Sequence, residues 1–203
     1  TSIERYASQY KLAVIMPEVQ NSFYTDMCNG GRFYTFVTEE LPDIARYYFP
    51  LSEKREDNFV AGLSMGGYGA FKWALTKPES VCAAASLSGA LDIVGGFDLI
   101  NDKKPGAIKL FTDIFGDLNK VKGSEHDLFY LAQTRVEEMA DLPELTFCCG
   151  TEDYLYKLNL NFKNHLDTLK IPYTYFEEPG AHTWDFWDRN IKKILEIFPL
   201  KKI

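Results

Sequence analysis

The sequence predicts an α/β fold whose mostly parallel, doubly wound sheet carries helices on both faces. Three observations carry that expectation. Short, near-continuous apolar runs alternate with longer patterns of helical period, as doubly covered parallel strands and their crossover helices require. One predicted strand–helix junction holds Gly62-Leu63-Ser64-Met65-Gly66, a serine with a glycine two residues away on each side. With 46% hydrophobic residues among 203 and no repeat, linker or low-complexity tract, the chain suits one domain with a sizeable core.

The elements follow in order. Thr1-Ser2-Ile3-Glu4 has capping-box spacing, and Ile3, Tyr6, Ala7 and Tyr10 recur at helical intervals. Leu12–Met16 is a β-branched strand candidate stopped by Pro17. Phe33, Phe36, Val37, Leu41, Ile44, Ala45 and Tyr48 form a helical stripe that Pro42 should kink or restart. Asn58–Leu63 reads as a strand ending in glycines, and Ala70–Lys77 as a helix stopped by Pro78. Val81–Leu87 and Leu145–Cys149 read as buried strands, Leu155–Leu169 as a helix, Tyr173–Phe176 as a strand and Trp184–Phe198 as the closing helix. The excursion Asp92–Pro143 breaks the rhythm and is expected to be a cap-like helical insertion over the active site.

Composition excludes several functions. A net charge of −7 repels phosphate backbones and anionic lipid, so neither nucleic acid nor membrane is an expected partner. No apolar run approaches the ~18 residues of a membrane span. The cysteines, Cys28, Cys82, Cys148 and Cys149, form no C-x-x-C pair, which argues against a zinc site or a disulfide framework and for a reducing, cytoplasmic compartment. No metal and no cofactor is implied.

The glycine-flanked serine carries the chemistry. With 14 glycines in 203 residues, about 0.04 chance occurrences of G-x-S-x-G are expected. A serine on a sharp strand-to-helix turn sits in strained backbone space, where side chains at ±2 would collide. The helix N-terminus and the Met65 N–H then aim positive charge at a developing oxyanion. Ser64 is the candidate nucleophile and needs a base. Of His126, His165 and His182, only His182 lies in a turn between the last strand and the last helix, at the sheet edge that carries Ser64. For the acid that orients the base, Asp153 follows the strand Leu145–Cys149 at that edge, and Asp92, after the preceding strand, is its rival. Glu152 and Asp185 are less suitably placed. Trp184, Tyr24 and Tyr154 are candidates for a substrate pocket, whereas Trp187 and Tyr68 read as packing residues.

Ala61–Ala70, Cys149–Asp153 and Gly180–Trp184 together resemble the esterase D group of α/β-hydrolases, which includes S-formylglutathione hydrolases and acetyl-xylan, feruloyl and tributyrin esterases. Ser2–Arg5, Phe23–Asp26 and Glu39–Pro42 resemble stretches of the bacterial tributyrin esterases in particular. The likeness spans about Thr1 to Pro199 and implies Ser64 as nucleophile, His182 as base, Asp153 as acid and the Met65 amide as oxyanion donor. It implies a serine carboxylesterase acting on short acyl esters, with acyl transfer or a non-catalytic binding module as rivals. Members of the group also carry a His-Gly segment whose following amide is the second oxyanion donor. No His-Gly occurs here, and the resemblance sets Thr1 just after it. The first strands are therefore expected on a separate N-terminal piece of the same polypeptide; a homo-oligomer is also compatible with the sequence.

Overall fold

Four parallel strands organise the chain: β1 (Phe59–Leu63), β2 (Ala83–Leu87), β3 (Glu144–Gly150) and β4 (Tyr173–Glu178), side by side in sequence order. The computed structural model describes residues 1–100 and 106–200, and of 98–100 the backbone alone. Residues 101–105 of the expected insertion therefore lie outside the described part. The α/β fold class is borne out, and the four strands lie where the apolar runs predict them. Every residue of β2 is buried, as is every residue of β3 after Glu144; doubly covered strands read as continuous apolar runs for this reason.

The two faces have separate cores. On one face, Ala84, Leu145 and Phe147 pack against Tyr68, Phe71 and Leu75 of α4 (Met65–Thr76), Leu128 and Leu131 of α7 (Leu128–Glu137), and Phe162 and Leu166 of α8 (Tyr156–Leu169). The opposite face sets Ala83, Ala85, Leu87 and Cys148 against Tyr6 of α1 (Ile3–Tyr10) and Trp187, Ile194 and Leu195 of α9 (Trp184–Ile197). Alternation along β2 and β3 divides the side chains between the faces. Between β2 and α7 run α5 (Ile93–Ile100) and α6 (Ala107–Phe115); Ile93, Ile114 and Phe115 join the first core.

Four expectations are corrected. Leu12–Met16 is irregular, with Val14, Ile15 and Met16 exposed at 42, 46 and 70%. β-Branching favours a strand only where a neighbour supplies the ladder, and no described strand lies beside this segment. No capping box forms: α1 has Ser2 at its N-cap with no side-chain cap bond, and the Ser2 N–H donates to Asp188 of α9 instead. Pro42 does not restart its helix. Phe33–Thr35 (α2), a π turn over Phe36–Glu40 and Leu41–Tyr48 (α3) run on continuously, and the wider turn absorbs the missing proline N–H within the first positions of α3. Finally, α4 starts at Met65 rather than Ala70. Its glycines are there for contact: a Cβ on Gly67 would collide with Ser86 Oγ, and one on Gly69 with the Tyr24 ring.

Candidate active site

Ser64 stands between the end of β1 and the first residue of α4 at φ 52°, ψ −117°, a strained conformation for a non-glycine residue. Its surroundings hold it there. The Ser64 N–H donates to Leu87 O at 2.9 Å, while its carbonyl accepts from Gly67 at 3.0 Å and from Ala90 at 3.1 Å. A Cβ on Gly62 would lie inside the Gly66 carbonyl, so the turn closes only with glycine at that position. Met65, as first residue of α4, has an N–H that the helix itself cannot satisfy.

Two further loops converge on this point from the carboxyl ends of β3 and β4. The Thr151 N–H donates to Glu178 O at 3.1 Å and the Glu152 N–H to Gly180 O at 3.0 Å, which clamps the two loops together. A Cβ on Gly150 would strike the Gly180 carbonyl. Asp153 and His182 are carried by these loops. The Ser64 hydroxyl lies 2.9 Å from His182 Nε2, and His182 Nδ1 lies 2.8 Å from Asp153 Oδ2 and 3.0 Å from Oδ1. Asp153 Oδ1 also accepts from the Leu155 N–H at 2.8 Å. Burial pushes the Asp153 pKa up, but hydrogen bonds from His182, the Leu155 amide and Ser88 outweigh it and hold the carboxyl below its ordinary value. With the acid ionised against Nδ1–H, Nε2 is left as the acceptor facing Ser64.

The rival residues are engaged elsewhere. Asp92 caps α5, accepting from the Gly95 N–H at 2.8 Å and the Asn161 side chain at 2.9 Å. His126 Nδ1 lies 3.2 Å from Lys72 Nζ. His165 Nε2 lies 2.9 Å from Phe129 O, with its ring 4.7 Å from that of Phe129. Of the aromatic candidates, Tyr154 is 66% exposed, its ring centred 4.6 Å from His182. Burial, then the Asp153 charge, raises its pKa. Trp184 is 62% exposed and edge-on to Trp187 at 5.2 Å, one step removed from His182. Tyr24 lies along α4, its hydroxyl 3.6 Å from where a Gly66 Cβ would stand. Trp187, read from sequence as core, is buried yet also meets the His182 ring edge-on at 4.8 Å. Sequence reading missed Ser88, buried at the carboxyl end of β2; the Ser-Gly pair closing an apolar strand at the Ser64 edge was the available signal.

Residues 8–198 match a family described as "Putative esterase". An acetyl esterase of Caldicellulosiruptor saccharolyticus is 33% identical over 197 residues, 96% of this chain and 74% of that protein. Among solved structures, FphF, a fluorophosphonate-binding serine hydrolase of Staphylococcus aureus, superposes with a TM-score of 0.88 at 40% identity, covering 98% of this chain and 75% of that one. The S-formylglutathione hydrolase FrmB of the same organism gives 0.85 at 40% identity, over 98% and 76%.

Proposed function

We propose that this chain, which belongs to the esterase family and is a carboxylic ester hydrolase, cleaves short-chain acyl esters through an acyl-enzyme on Ser64. The observation that carries the reading is the unbroken line of hydrogen bonds Ser64–His182–Asp153 at a strained elbow. His182 takes the Ser64 proton as Oγ bonds to the ester carbonyl carbon. Asp153 stabilises the imidazolium, and the Met65 N–H donates to the oxyanion. Collapse breaks the ester C–O bond, and His182 returns its proton to the leaving alcohol. A water molecule activated by the same His182 then frees the acid and restores Ser64. Tyr154, exposed beside His182, and Trp184, exposed beside Trp187, serve as walls for the substrate, with Tyr24 behind the α4 N-terminus. The names of two relatives, an acetyl esterase and an S-formylglutathione hydrolase, share a very small acyl group and differ in the leaving group. The 92–143 excursion is assigned to specificity, since it begins just after Ala90, whose N–H bonds the Ser64 carbonyl. A panel of p-nitrophenyl esters from acetate to decanoate, with methyl ferulate and S-formylglutathione, tests the reading. Fastest turnover of acetate or propionate is expected; a preference for decanoate or ferulate would overturn it. Unchanged products with added alcohol separate hydrolysis from acyl transfer.

The second oxyanion donor is proposed to come from a separate N-terminal piece that pairs with the outer edge of β1. Among the described strands β1 has β2 on one side alone, and Ile15, Met16, Tyr47, Tyr48 and Phe49 leave apolar surface exposed. Intact-mass analysis of a folded, active sample under denaturing conditions should reveal that second piece. Full activity from a species of this chain's mass alone would overturn the proposal.

A further inference from the structure

We propose that Trp187 is a positioning residue for the second half of the reaction: its buried indole holds the His182 ring in place while Ser64 is acylated and can no longer do so. The inference rests on the triad reading above and deepens it. In the free protein His182 is tethered at both nitrogens, Nδ1 to Asp153 at 2.8 Å and Nε2 to the Ser64 hydroxyl at 2.9 Å. Acylation removes the second tether, because Ser64 Oγ then carries the acyl group and has no proton to donate. A ring left with one hydrogen bond pivots about it, yet deacylation needs Nε2 aimed at a water. That water gives its proton to Nε2 as its oxygen bonds to the acyl carbon. Collapse then breaks the bond from that carbon to Ser64 Oγ, which takes the proton back from Nε2. Packing must hold the ring through this stage.

Two aromatic rings touch it. Tyr154, centred 4.6 Å away, is exposed, and exposed side chains change rotamer readily. Trp187 is buried and meets the imidazole at 4.8 Å with an interplanar angle of 89°. Its indole is pinned: Nε1–H donates to the Ser88 hydroxyl at 3.2 Å, and the Ser88 N–H is fixed on Cys148 O at 2.7 Å. The Trp187 backbone N–H donates to Thr183 O at 3.2 Å, which ties the first turn of α9 to the residue after His182. An edge-on aromatic pair is strong enough to change the share of correctly aimed rings about tenfold.

With p-nitrophenyl acetate and the full-length esterase, Trp187→Leu should lower kcat about tenfold and KM with it. It should leave kcat/KM within about twofold, because kcat/KM reports acylation, when Ser64 still tethers the ring. Mass spectrometry during turnover should show acetyl-enzyme accumulating. Trp187→Phe, which keeps an aromatic edge and loses only the bond to Ser88, should restore most of kcat. A loss shared equally by kcat and kcat/KM, with no accumulated acetyl-enzyme, would assign Trp187 to packing and overturn the proposal. Parent-like kinetics in Trp187→Leu would overturn it too. Should Trp187→Leu not fold, the parent labelled on Ser64 by a fluorophosphonate decides: nuclear Overhauser contacts between the His182 and Trp187 rings should survive labelling, and their loss would refute the positioning role. A label found on another serine would instead refute the triad reading itself.

Discussion

Replacing Asp153 by asparagine keeps the size of the side chain and reverses half of its chemistry. The Leu155 N–H, 2.8 Å from Oδ1, fixes one position as an acceptor, so the amide NH₂ of the variant must face His182 Nδ1. Nδ1 then becomes the acceptor and Nε2 carries the proton, 2.9 Å from a Ser64 hydroxyl that it can no longer deprotonate. The imidazolium also loses a buried carboxylate in direct contact at 2.8 Å. Taken between charge centres about 4 Å apart, losing such an ion pair is worth about 4 kcal/mol at an effective dielectric near 20. With the tautomer penalty, the expected loss in kcat is about 10⁴-fold, or roughly 5.5 kcal/mol of barrier. The assay is kcat and KM for p-nitrophenyl acetate, beside circular dichroism to show that the fold is retained. Asp92→Asn is the control, because Asp92 caps α5 and holds Asn161; asparagine caps a helix about as well as aspartate, so it should cost under about 1 kcal/mol of stability and leave kcat within a factor of two. A loss under tenfold for Asp153→Asn, or a larger one for Asp92→Asn, would refute the reasoning.

Ser64→Ala should abolish labelling by a fluorophosphonate probe and lower kcat by several orders of magnitude; mass spectrometry locating the label on another serine would count against the elbow. Gly62→Ala should destabilise the fold by about 2–4 kcal/mol and displace the nucleophile, because its Cβ would enter the Gly66 carbonyl; urea denaturation checks it. Lys72, buried in α4, has its pKa lowered to about 8 by burial. A cation disfavoured by the fold destabilises it fully below pH 8, and the penalty is relieved as pH rises toward the unfolded value near 10.5. Parent stability relative to Lys72→Met should therefore rise by about 3 kcal/mol across that window, and a flat difference in denaturation midpoints would contradict it.

What the residues alone determined were the features with local causes. Buried parallel strands show as continuous apolar runs because both of their faces are covered. The elbow shows as G-x-S-x-G because Gly62 and Gly66 touch across the turn. His182 and Asp153 stood out because each follows a strand end at the edge that carries Ser64. Tertiary structure decided whatever depends on a neighbour from elsewhere in the chain. Leu12–Met16 has strand propensity and no described strand to pair with. Asp92 and Asp153 both follow strands, and only the clamp between the β3 and β4 loops puts one of them on His182. Ser88 carries no motif of its own, since its side-chain hydrogen bond comes from Trp187, ninety-nine residues away. Propensity and turn chemistry act over a few residues and can be read along the chain, whereas a hydrogen bond between distant segments exists only once the sheet has brought them together.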